Sequence, residues 1–110
     1  MPSERLVVGP VEVIPAQLLV RVEGNVIWLR RRQMLVLAEL ASYPGRVLRR
    51  ETIFEVVWGR TPDARDRTID VYVGQLRRLL VRAGPGWKYI HTHVGGGYRF
   101  EPQARSGARP

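Results

Sequence analysis

The sequence predicts an α+β domain: a four-stranded N-terminal antiparallel sheet, three helices, and a C-terminal β-hairpin. Three observations carry this prediction. Four short β-rich runs separated by turn signals fill residues 5–29. Apolar spacing then switches to the helical period in three successive segments. A triple glycine joins two further β-rich runs near the end. At 110 residues there is room for one domain.

In order, Leu6–Val8 is followed by the turn signal Gly9-Pro10, and Val11–Ile14 ends at Pro15. Leu18–Val22 ends at Glu23-Gly24-Asn25, and Val26–Leu29 comes next, so the tight spacing suggests a meander. From Arg31 to Tyr43, Met34, Leu37, Ala38 and Ala41 recur at i, i+3, i+4, i+7, and Leu35, Val36 and Leu40 widen the apolar stripe. Pro44-Gly45 stops this helix. A second helix runs from Arg50 to Trp58, with Ile53, Val56 and Val57 on one side and Gly59 at its end. Residues 60–66 form a loop, and Asp66 is placed to cap the third helix. That helix spans residues 67–82 and is sharply two-faced. Ile69, Val73, Leu76 and Leu80 form the core side, with Tyr72 and Leu79 beside them. Arg67, Val71, Gly74, Gln75, Arg78 and Arg82 lie opposite, with Asp70 at the edge. After the break at Ala83–Gly86, residues 87–93 and 98–100 form the hairpin. Residues 5–101 are thus the expected domain, and 102–110, polar with Gly and Pro, the expected disordered tail.

Composition narrows the class. There are no cysteines, which excludes a disulfide scaffold, a thiolate metal site and a cysteine nucleophile. No apolar run reaches the ~18 residues of a membrane span, and no signal peptide is visible, so no membrane partner and a cytoplasmic, nucleoid-associated location are expected. Eighteen basic residues against ten acidic ones give a net charge of +8, and all the basic residues except Lys88 are arginines. Codon bias in a GC-rich genome explains an arginine excess over lysine equally well, but not the net charge. A small domain this basic is most often a nucleic-acid binder. No Ser-His-Asp spacing or carboxylate pair stands out, so catalysis is not expected. His91 and His93 share a strand face, but two histidines with no cysteine are a weak metal signal. Neither a metal nor a cofactor is expected.

Three helices followed by a hairpin is the order of a winged helix-turn-helix. In that arrangement the third helix offers its basic face to a DNA major groove, and the hairpin lies along the backbone or the adjacent minor groove. The bland alternative is a solvated basic face.

Several stretches together carry a resemblance. They are Gly45-Arg46-Val47-Leu48-Arg49-Arg50-Glu51, Val57-Trp58-Gly59, Arg67-Thr68-Ile69-Asp70-Val71-Tyr72-Val73, Leu76-Arg77, and Thr92 with Gly97-Tyr98-Arg99-Phe100. In this combination and order the chain resembles the OmpR/PhoB-type effector domain of bacterial transcriptional regulators over residues 5–101. The resemblance implies a recognition helix at 67–82 and DNA-backbone contacts from Trp58, Arg67, Tyr72, Arg77, Thr92 and Tyr98. It also implies head-to-tail pairs on direct-repeat duplex DNA, and RNA polymerase contact through the loop carrying Arg60, Asp63 and Arg65. Trp58 and Tyr98 are equally large core-edge residues, and Arg67 with Asp70 is equally an internal ion pair. A protein-interaction module using loop 60–66 is the alternative from another class. Relatives of this type carry an N-terminal phospho-receiver domain. This sequence starts at Met1 with the sheet, as a part of a longer protein or as a stand-alone regulator.

The departures from the family pattern are informative. Where the family has Thr-Pro-x-Glu-Phe, this chain has Arg30-Arg31-Arg32-Gln33-Met34. Three arginines at a positive helix end are unfavourable for stability alone, which marks Arg30, Arg31 and Arg32 as candidate contacts to DNA backbone or an acidic partner. Gly74 and Gln75 stand where the family often has basic residues. A helix-interior glycine suggests close backbone approach, and a glutamine amide suits adenine N6/N7. Val71 suits a thymine methyl, and Arg78 a guanine or a distal phosphate. Arg82 and His93 are expected on the backbone. Val94 replaces the arginine that in relatives enters the minor groove.

Overall fold

A computed structural model describes residues 4–105. The first strand, β1 (Leu6–Val8), pairs antiparallel with β2 (Val11–Ile14), β2 with β3 (Leu19–Val22), and β3 with β4 (Asn25–Trp28), in the order β1-β2-β3-β4. A single 3-10 turn at Pro15–Gln17 joins β2 to β3. It ends on Leu18 in the left-handed region (φ 54°), so this residue belongs to the turn and not to the strand expected from 18. Strand alternation sends Val11, Val13, Val20 and Val22 into the core.

Helix α1 (Arg31–Ala41) buries Met34, Val36, Leu37, Ala38, Leu40 and Ala41, the face set by the helical spacing. It ends two residues short of Tyr43. Ser42 turns its Oγ back on the Ala38 carbonyl (2.7 Å), and its N–H bonds the same carbonyl. A strand that the sequence pattern does not announce, β5 (Val47–Arg49), runs directly into α2 (Arg50–Trp58). The buried side of α2 is Ile53 and Phe54, whereas Val56, expected on the core side, is 58% exposed. Stepping ~100° per residue puts Phe54 and Val57 on one flank of Ile53 and Val56 on the other. The core lies on the first flank. Gly59 closes α2 in the left-handed conformation, with its N–H on the Glu55 carbonyl.

Helix α3 (Thr68–Ala83) buries Ile69, Val73, Leu76, Leu80 and Ala83. Its N-cap is Arg67, one residue later than expected, but Asp66 still accepts the Thr68 N–H at 2.8 Å. Strands β6 (Trp87–His93) and β7 (Gly97–Ala104) form the hairpin, and β5 adds to β7 in the order β5-β7-β6. The wing is therefore a three-stranded sheet. Residues 102–104, expected in a disordered tail, are the end of β7, where Trp87 faces Ala104 and Lys88 faces Gln103. A polar, proline-containing strand is tolerated at such a sheet end. The rest of the expected tail, 106–110, lies outside the described residues. Among the described residues no helix is long and apolar enough to cross a membrane.

Candidate nucleic-acid interface

The amphipathic period of α3 lines up Val71, Gly74, Gln75, Arg78 and Arg82 away from the core. Val71 is 55% exposed, Arg78 and Arg82 are exposed, and Gly74 and Gln75 are half-buried. This is the face expected from the sequence. Among the described residues nothing requires a glycine at 74, because a Cβ there would meet only the Arg78 guanidinium at 3.7 Å. Gln75 is not a free amide. Its Oε1 accepts from Gln33 Nε2 on α1 at 3.1 Å with one lone pair, which orients the amide and leaves the second lone pair and the Nε2 protons.

Five of the backbone-contact candidates fall into two groups. Trp58 stacks on Phe54 (4.9 Å between ring centroids) and meets Tyr72 edge-on (5.5 Å), and the Arg32 guanidinium lies 4.8 Å over its ring. Trp58 and Tyr72 are half-buried, so both packing and surface roles are open to them. The arginine run is thereby divided. Arg32 covers the aromatic cluster, while the Arg30 N–H is capped by Gln33 Oε1 at 2.9 Å. A guanidinium has no acceptor, so Gln33 supplies the only half of a capping box possible here.

Arg77, Thr92 and Tyr98 form the second group, which joins α3 to the wing. Arg77 Nε and Nη2 donate to the Ile90 carbonyl (3.1 and 2.8 Å), and Nη2 also donates to Thr92 Oγ1 (2.7 Å). Arg77 is thus a strut between α3 and the wing, held through Nε and Nη2. Thr92 accepts in this bond, so its own hydroxyl proton is not used in it. Tyr98 ties the wing to α3. It is 5% exposed, and its hydroxyl donates to Asp70 Oδ1, so its one proton is not offered to a phosphate.

Asp70 is the site residue that sequence reasoning undervalued. Besides Tyr98 it receives Arg67 Nη1 at Oδ2 (3.3 Å) and faces Arg50 Nε across 3.3 Å. The Arg50 contact is Coulombic and not a hydrogen bond, and Nε is buried without an acceptor. Burial raises the Asp70 pKa, but the Tyr98 and Arg67 hydrogen bonds and the two arginine charges outweigh it, and the net shift is downward. Asp70 is the sole acid on α3, three residues from Arg67, and that spacing was the available signal. Arg50 gave none. Arg67 is paired but its side chain remains 78% exposed.

Both wing histidines have internal partners. His91 is buried and donates Nε2–H to the Glu101 carbonyl at 2.8 Å. Because an arginine only donates, His93 Nε2 accepts from Arg99 Nε at 3.0 Å, which engages the ring otherwise expected on a DNA backbone. Among the described residues no three His, Asp or Glu side chains could hold a metal ion. At the wing tip Val94 is fully exposed. In loop 60–66 the Arg60 guanidinium lies 5.0 Å over the Phe54 ring, and Asp63 and Arg65 are exposed. The loop, α2 and the start of α3 enclose a cleft of about 380 Å³ lined by Arg50, Phe54, Pro62, Arg65 and Ile69.

The family described as "Transcriptional regulatory protein, C terminal" matches residues 24–100. The transcriptional regulatory protein PrrA of Mycobacterium tuberculosis is 40% identical over 102 residues, covering 92% of this chain and 43% of PrrA. The chain thus spans less than half the length of this relative. Among solved structures, the RstA DNA-binding domain of Klebsiella pneumoniae, in complex with the RstA box, superposes with a TM-score of 0.79 at 27% identity. It covers 91% of this chain and 99% of that one. The DNA-binding domain of CpxR from E. coli gives the same TM-score and identity, with 90% and 97% covered.

Proposed function

Because the chain belongs to the transcriptional regulatory protein C-terminal family, the OmpR/PhoB type of winged helix-turn-helix, we propose that it binds double-stranded DNA sequence-specifically to regulate transcription. The observation that carries this reading is the outward stripe of exposed Val71, Arg78 and Arg82 with half-buried Gly74 and Gln75, on a helix whose other face is buried in the core. Helix α3 enters the major groove with this stripe toward the base edges, and the wing lies on the adjacent backbone. Arg67, Arg82, Thr92, the free end of Arg77, and Trp58 with Tyr72 hold phosphates. Val94 leaves the wing tip without the cation a narrow minor groove favours, so the wing serves position more than sequence. The domain is residues 5–105 in this reading, and two copies sit head to tail on a direct repeat about one helical turn apart. Loop 60–66 contacts RNA polymerase, a role that exposed Asp63 and Arg65 on the side of α3's start suit.

Salt dependence of duplex binding tests the reading. With ~5–7 phosphate contacts per protomer, log K against log salt is expected to slope by roughly −4 to −6. A slope near zero, or binding equally weak on every duplex, would instead favour an interaction module that works through the loop.

A further inference from the structure

The two flanks of α3 are held by different parts of the fold. Stepping ~100° per residue from Val71, in the outward stripe, puts Gln75 and then Tyr72 on one side, and Asp70 and Arg77 on the other. The second side belongs to the wing: Arg77 bonds Ile90 and Thr92, and Asp70 takes the Tyr98 hydroxyl. The first belongs to α1 and α2. Gln33 bonds Gln75 at 3.1 Å, and Trp58 meets the Tyr72 ring edge-on. Arg32 lies over Trp58 and so stands on this first flank, across the stripe from the wing. Its side chain is exposed, and among the described residues no carboxylate pairs with it, whereas Arg50 and Arg67 share Asp70. A guanidinium is planar with its donors in its own plane, so a ring that holds it from one face takes none of them.

We propose that Arg32 is a DNA-backbone residue that grips the strand on the wall of the major groove opposite the wing. This rests on the reading that α3 enters that groove. A helix fills a groove about 12 Å wide, so elements on its two flanks stand against the two phosphate walls. The wing and Arg77 stand against one. Arg32 brings to the other a cation that the Trp58 ring already restrains, which lowers the ordering cost of the contact. A phosphate contact carries no base information, so it raises affinity for all sequences alike.

The experiment uses the full chain and a duplex selected by the wild-type protein, with single phosphates replaced by neutral methylphosphonates on either strand. Arg32→Met keeps an apolar cover on Trp58 and removes the charge. Arg5→Ala removes the same charge from the N-terminal sheet, where Arg5 pairs with Glu12. Arg32→Met is expected to reduce the steepness of the salt slope by about 1 with the selected motif unchanged, and Arg5→Ala to leave the slope as in wild type. In each half-site, the phosphate whose neutralisation weakens wild type but not Arg32→Met is expected on one strand. The phosphate identified in the same way with Thr92→Ala is expected on the other. Thermal unfolding of each variant reports any loss of fold, and Arg32→Gln is a second neutral variant. Equal slopes for wild type and the folded Arg32 variants would leave Arg32 a cover for Trp58 or a contact to an acidic protein, and would overturn the inference alone. So would an equal change of slope in Arg5→Ala, which a net-charge effect gives, or two such phosphates on the same strand. Failure of the wild-type chain to prefer any duplex would overturn the major-groove reading beneath it.

Discussion

Gly97→Ala is expected to destabilise the domain by about 3 kcal/mol or more, a fall in Tm on the order of 15 °C for a domain of this size. At this position β7 faces Arg49 of β5, and the two backbones approach so closely that an added Cβ would overlap the Leu48 carbonyl oxygen. It would also lie 2.8 Å from the Leu48 carbonyl carbon and 2.9 Å from Arg49 Cα. All three are backbone atoms in a paired strand, so relief requires parting β5 from β7 or moving the start of α2. Gly96→Ala is the control one residue away. Nothing lies within 4 Å of a Cβ there, and the substitution is expected to change stability by no more than about 0.5 kcal/mol. Thermal or denaturant unfolding of the two variants checks the contrast, and equal effects would mean that β5 does not pack on the wing as described.

Asp70→Asn is expected to cost about 2–3 kcal/mol, because a buried tyrosine hydroxyl and two arginines lose their shared anion. The effect depends on pH in a defined direction. The folded protein holds the Asp70 carboxyl below its ordinary range, so its contribution is full above about pH 4 and disappears as pH falls through the lowered value. The wild-type protein should therefore lose stability below about pH 4, and Asp70→Asn should lose less over the same interval. Asp66, lowered mainly by Thr68, and Glu12, lowered mainly by Arg21, titrate in the same window, so the slope is reduced and not abolished. Unfolding free energies from pH 7 to pH 2 measure this, and parallel curves for the two proteins would remove Asp70 from the network.

Helices α1 and α3 were legible in the sequence because their apolar stripes are long and regular: Met34 to Ala41 and Ile69 to Leu80 fall where the 3.6-residue period puts them. The four-stranded sheet was legible from its turns. β5 was not, because three residues, Val-Leu-Arg, carry no readable alternation, and its partner lies some fifty residues on in β7. Separation in sequence, though shorter, also hid the contacts that decide the site. Arg77 reaches Ile90 and Thr92, Gln33 reaches Gln75, and Tyr98 reaches Asp70. A helical wheel says which side of α3 faces out, but not which outward side chains are already held by another element. Val71, Arg78 and Arg82 accordingly lie on the exposed face the wheel gives them. Tyr98, expected at a phosphate, is buried with its hydroxyl on Asp70. The Arg30–Arg32 run likewise looks uniform in sequence, but the fold gives Arg32 an aromatic ring to cover and leaves Arg30 to be capped.

If the exposed stripe of α3 reads bases while the arginines around it supply affinity, losing one stripe residue must change the sequence preferred and not only the strength of binding. Selection of bound sequences from a random duplex pool, by the wild-type chain and by Arg78→Ala, tests this most directly. The wild-type pool should converge on a repeated half-site, and the Arg78→Ala pool on the same half-site with one position, most simply a guanine, no longer enriched. A wild-type pool with no enriched sequence, or two pools with the same motif at every position, would contradict base reading by this helix.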